Sequence, residues 1–323
     1  MIQKKEIDVF LKKKVARLKY KLYLCSLILL KDMDKIALRN GILAFILVLL
    51  LMPIGHAIMI LNEVLLGDAK YYGAIAMGFL GVALIVIGLL KNGNPTFATL
   101  MGFLGGVLVW TGWVEFSFMW VAEKNNVANL MENGNIVTKR EYLVMLSSMG
   151  LLCTTVLFYL FSRSNCTFFI WFQKVLGFRN QILTQTGYKK PFSIIVFTET
   201  IMLLWFFYIL LLAIYDDHIA GDRHWITYTV AWGSLFWSLY LINRLVRIRS
   251  FDYAVRYAVP TVIIFWNFVE ILGRWDLFKE IWIHPMEYWL EVLLLCLAFV
   301  TLMILFIVNP TFHRKGNKET AAT

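Results

Sequence analysis

The chain has 323 residues, of which 60% are hydrophobic and only 16% charged, with a mean hydropathy of +0.69. A soluble domain carries about a quarter charged residues, so a soluble globular class is excluded and an integral membrane protein is expected. The formal charge of +10 would suit nucleic acid, but the distribution of basic residues assigns it to membrane topology instead.

The first 40 residues form a basic tail containing 11 Lys and Arg. Its apolar run, Leu22 to Leu30, has lysines on both sides and no small-residue cleavage site, so it does not read as a signal peptide. Residues 17–31 instead suit a helix lying in the cytoplasmic interface. Apolar segments of roughly the 20 residues that a bilayer requires follow near 41–62, 71–90, 96–122 and 141–162. A linker over 163–190 carries a second interfacial pattern at 164–179. Four more segments lie near 191–215, 225–243, 254–273 and 287–308, and a tail covers 309–323.

With the N-terminus inside, 24 of the 31 basic residues fall on cytoplasmic segments, as the positive-inside rule asks. The expected class is therefore an all-α integral membrane protein of eight transmembrane helices with both termini cytoplasmic. A bacterial cytoplasmic membrane suits it best. Membrane lipids and other membrane subunits, or further copies of the chain, are the expected partners; nucleic acid is not. The four cysteines are expected as free thiols.

The segments 41–162 and 191–308 read as one unit written twice. Cys25 precedes His56 by 31 positions, and Cys166 precedes Glu199 by 33. Gly67-Asp68 leads by 48 to Glu115, and Gly221-Asp222 leads by 49 to Glu270. Glu141-Tyr142 with Cys153 answers Glu287-Tyr288 with Cys296. Two parallel repeats, each one interfacial helix plus four spans, would place a working site where the halves meet. Gly78, Gly81, Gly102, Gly105 and Gly106 would let spans two and three approach closely.

Carboxylates at membrane depth are expensive and mark function by default, which singles out Glu115, Glu270 and Glu199. The plainer alternative for Glu115 and Glu270 is that each reaches the headgroups or pairs with a base such as Arg274. Glu199 would be neutral or would meet Arg256. His56, His218, His224, His284, Glu287 and Asp222 supply the imidazole and carboxylate donors that suit copper, iron, zinc or manganese, although their spacing matches no metal signature. Incidental histidines in a solvated acidic loop would look the same.

The phosphate-binding glycine loop, the dinucleotide glycine fingerprint and the Gly-x-Ser-x-Gly elbow are all absent. Three function classes remain. The first is a membrane oxidoreductase, or a subunit of one, with a metal- or proton-handling site for an apolar substrate. The second is a cation or proton-coupled transporter using Glu115 and Glu270. The third is a non-catalytic subunit of a membrane complex.

Overall fold

The computed structural model describes residues 34–132, 135–161, 174–175, 191–309 and 312. The two interfacial helices expected near the basic segments, with Cys25 and Cys166, fall outside the described residues, save for residues 174–175, which are helical. Cys153 and Cys296 are free.

Helix α1 (Lys35–Leu66) starts at Asp34, whose carboxylate accepts from the Ile36 N–H at 3.0 Å, and stops at Gly67. Gly67 has φ +49, a left-handed backbone that side chains resist. A 3-10 turn, Gly67–Ala69, reverses the chain into α2 (Lys70–Leu90), and Asn62 holds the corner by donating to Lys70 O at 2.8 Å. Asn94 caps α3 (Pro95–Val109), where Pro95 occupies a position that needs no N–H. A π-helical stretch, Trp110–Glu115, runs on into α4 (Phe116–Lys124).

The all-α expectation holds for the bulk of the described chain, with one departure. Strands β1 (Leu130–Glu132) and β2 (Asn135–Thr138) pair antiparallel, Leu130 opposite Thr138. The segment expected over 141–162 is also interrupted. It forms α5 (Arg140–Met145), a 3-10 turn Leu146–Ser148, and α6 (Met149–Phe161). Ser147 and Ser148 donate their hydroxyls back to Val144 O and Met145 O, and such back-bonding competes with the helical ladder. Four helices complete the chain: α7 (Phe192–Tyr215), α8 (Trp225–Leu245), α9 (Phe251–Arg274) and α10 (Trp289–Val308).

Among the described residues, five helical stretches are long and apolar enough to cross a membrane: 35–90, 95–124, 192–215, 251–274 and 289–308. The first contains α1, the turn and α2. Their outward faces are apolar, with Phe79, Leu80 and Leu90 on α2 and Leu294 and Ile304 on α10 exposed. In water such contiguous faces would drive association; in hydrocarbon they are ordinary.

Helix α3 packs between α2 and α7, while α9 packs against α1, α7 and α8, and α10 closes on α1. The main core is drawn from both halves, with Leu47 and Val48 of α1, Phe103 of α3, Leu203 of α7 and Ile264 of α9 all buried together. Gly81 and Gly105 face each other so closely that a Cβ on either would come within 2.8 Å of the other's carbonyl oxygen. Gly102 and Gly106 turn the other way, toward Ser193 and Thr200 of α7. The glycine surface thus joins three helices, where the sequence led to an expectation of two.

The connections gather at two ends. At one, Arg249 pairs with Asp34 at 2.5 Å and Asn40 donates to Arg249 O at 2.7 Å. At the other, Glu123 accepts from Lys70, Tyr71 and Arg140, which clasps α2, α4 and α5. Arg274 there pairs with Asp222 at 2.7 Å and donates to Thr138 at 3.1 Å, joining hairpin, loop and α9.

Candidate functional site

A cavity of about 1530 Å³ opens among the Thr138, Asp222 and 276–288 segments and runs inward between α1, α7 and α9. Met52, Leu204, Phe207, Leu211 and Ile263 give it apolar walls. Along α9 the residues Ile263, Asn267, Glu270 and Arg274 face it in succession, the i, i+4, i+7, i+11 spacing of one helical face. At 1.5 Å per residue that face spans roughly 16 Å.

His56 sits on this cavity and fixes the chemistry. Its Nδ1 lies 3.1 Å from Met52 O, a group that can only accept, so Nδ1 carries a proton. The exchangeable nitrogen is therefore Nε2. That atom meets the Tyr208 hydroxyl at 2.8 Å and the Glu270 carboxylate at 3.6 Å. Tyr208 also faces the Glu115 carboxylate. One phenol and one imidazole thus stand between Glu115 and Glu270.

Each acid also accepts an indole N–H from its own helix. Trp266 donates to Glu270 at 2.6 Å, four residues away, and Trp110 donates to Glu115 at 2.8 Å, five away. Four is the ordinary α-helical spacing. Five is met because the chain between Trp110 and Glu115 is π-helical, a geometry that inserts one residue into a turn and often marks working sites. The rings of Tyr142 and Trp110 pack on Tyr208 at 6.0 and 5.5 Å between centroids.

The other sequence candidates are placed differently. Glu115 is buried behind Tyr208 and is not among the cavity's lining residues, and buried Glu199 on α7 also lies off it. Arg256 pairs with Asp252 at 2.8 Å, and Arg274 with Asp222 rather than Glu270. Asp222, His284 and Glu287 are on the cavity wall. His224 caps α8, its Nδ1 accepting from Ile226 N at 3.4 Å, and His218 is exposed in the preceding turn. His284 belongs to a turn before α10, its carbonyl accepting from Glu287 N and Tyr288 N. Among the described residues, no group of three or more His, Cys, Asp or Glu side chains gathers as a metal ion would need.

Tyr208, Trp110 and Trp266 complete the cluster without having been singled out in the sequence, and Tyr142, noted there only as a repeat landmark, joins them. The repeated Trp before each Glu was the available signal, hidden by its unequal spacing.

Glu280, in the loop between α9 and α10, reaches back over Gly273. A Cβ there would collide with its carboxylate. Burial, followed by the nearby Glu270 charge, pushes its carboxyl up to about 7. A raised carboxyl stabilises the fold most below its unfolded value near 4.5, and that contribution is lost as pH rises through about 7. Glu280→Gln is therefore expected to leave stability at pH 4 unchanged and to raise it at pH 8. The gain should be about 1 kcal/mol after allowing for the solvent-facing side of the group. Thermal melts of both proteins across pH 4–8 check this, and parallel pH profiles would refute it.

No protein-family model matches the chain, and neither a curated protein nor a solved structure matches it. Residue roles therefore come from this geometry alone. Fold and site together define a helical protein with membrane-compatible apolar helices around a half-buried acid–imidazole–phenol cluster.

Proposed function

We propose that the chain crosses a membrane eight times as two tandem four-helix halves, and that it acts as a membrane oxidoreductase or the membrane subunit of one. It binds an apolar molecule in the cavity from the outer face and exchanges a proton with that molecule at His56–Glu270. The carrying observation is that one exchangeable nitrogen, His56 Nε2, faces both a phenol and a carboxylate on the wall of an apolar cavity.

Helix pairing supports the two-half reading. If α1 corresponds to α7 and α3 to α9, the contacts α1–α9 and α3–α7 exchange with one another, as do α2–α3 and α8–α9. The Trp-to-Glu hydrogen bond recurs on the two corresponding elements. The connections at the cavity mouth are also those that the basic-residue count places outside.

Purified protein in lipid nanodiscs tests the reading with decylubiquinone as probe. Trp266 and Trp282 line the cavity, so saturable quenching of tryptophan fluorescence with a Kd on the order of micromolar is expected. Absence of saturable quenching overturns it. A second reading, proton-coupled transport, draws on the continuity from Glu270 through His56 and Tyr208 to Glu115. It expects proton flux into liposomes loaded with a pH dye, with no bound apolar probe required.

A further inference from the structure

Asn267 lies on α9 three residues before Glu270, is 2% exposed and lines the cavity. Its amide nitrogen has no hydrogen-bond partner among the described residues. Buried donors are nearly always paired, because an unpaired one forfeits its hydration without return. The Tyr215 hydroxyl on α7 is a second buried group in the same cavity with no partner among the described residues, under an Arg274 guanidinium 4.4 Å from its ring centroid. Tyr215 stands seven residues beyond Tyr208, roughly 10 Å farther along the helix toward the mouth. Apolar Leu211 and Leu212 line the wall between them.

The Trp282 indole N–H is a third buried donor on this cavity without a partner among the described residues. Asn267 and Tyr215, at different depths and separated by apolar wall, describe a molecule that is apolar along its body and offers acceptors at two points. We infer that the ligand of this cavity is a carbonyl compound, with one carbonyl oxygen accepting from the Asn267 amide beside His56 and Glu270, and a second acceptor meeting Tyr215 nearer the mouth. A plain hydrocarbon would leave both donors unsatisfied. The Asn267 contact sets a bound carbonyl next to the one exchangeable imidazole nitrogen. Asn267 thus positions the group that receives the proton. This inference rests on the cavity being a site for apolar ligands, as proposed above.

Two probes in nanodiscs separate the claims: decylubiquinone, which carries ring carbonyls, and decylbenzene, which carries none. Wild type should bind decylubiquinone at least about tenfold more tightly than decylbenzene, the scale of one to two hydrogen bonds. Asn267→Leu should weaken decylubiquinone about tenfold, leave decylbenzene within about twofold, and raise the melting temperature of the ligand-free protein by removing an unpartnered polar group. Tyr215→Phe, which changes one atom and disturbs packing least, should weaken decylubiquinone about threefold to tenfold and leave decylbenzene unchanged. Equal weakening of both probes by either variant, no weakening by both, or a lower melting temperature for ligand-free Asn267→Leu overturns the assignment. Wild-type preference for decylbenzene overturns it while sparing the apolar cavity. Binding of neither probe sinks that cavity reading with it.

Discussion

His56→Gln is expected to abolish proton uptake linked to ligand binding and to slow any step that moves a proton to the ligand by about a hundredfold or more. The argument is one of available atoms. Nδ1 is committed to Met52 O, so Nε2 alone can gain or lose a proton. It lies within reach of Tyr208 and Glu270. A glutamine amide preserves polarity and approximate size but does not titrate, and general acid–base groups contribute about 10²–10⁴ in rate. Tyr208→Phe should act differently. It leaves the His56–Glu270 pair and removes only the hydroxyl between His56 and Glu115, so uptake should persist. Calorimetric titration of decylubiquinone in buffers of different ionisation enthalpy measures the proton count directly. Wild-type uptake that survives in His56→Gln would remove His56 from the role.

Much of the fold was legible because hydropathy reports a helix wherever lipid must be crossed. The described residues are mostly helical, with five stretches long and apolar enough to cross a membrane and the segment over 141–161 broken by a 3-10 turn. Gly67, Asn94 and the Ser147-Ser148 pair mark local starts and breaks by local chemistry. What the sequence could not disclose was partnership. Gly102 reads like Gly105, yet one meets α7 and the other α2, and α7 begins about 90 residues later. The site was half visible for the same reason. Glu115, Glu270 and His56 stand out as polar groups within apolar segments. Tyr208 and Asn267 look unremarkable inside Trp-, Phe- and Tyr-rich helices until α1, α7 and α9 are brought together. Asp222 and His224 drew notice by composition, but their main bonds are structural, to Arg274 and to the start of α8.

The same change, glycine to alanine, is expected to have opposite signs at two positions. At Gly102 a Cβ would fall 2.3 Å from Ser193 O and 2.8 Å from Ser193 Cα. Those are backbone atoms of α7, so no rotamer relieves the clash and the helices must separate. Overpacking of this kind costs about 2–4 kcal/mol, or roughly 3–6 °C in melting temperature for a chain of this size. At Gly106 the nearest atom is Thr200 Cβ at 3.1 Å, so an intermediate loss is expected. Gly233 on α8 has nothing within 4 Å, and there alanine should stabilise by about 0.5–1 kcal/mol through helix propensity alone. The damage at Gly102 should also reach the site, because α7 carries Tyr208 and α3 leads into Trp110 and Glu115. Moving α7 off α3 opens the 5.5 Å contact between the Trp110 and Tyr208 rings, so decylubiquinone affinity should fall together with stability in Gly102→Ala and stay at the wild-type value in Gly233→Ala. Thermal melts and fluorescence titrations of the three variants decide the matter. Equal stability changes at Gly102 and Gly233 would mean that α3 and α7 do not meet backbone to backbone.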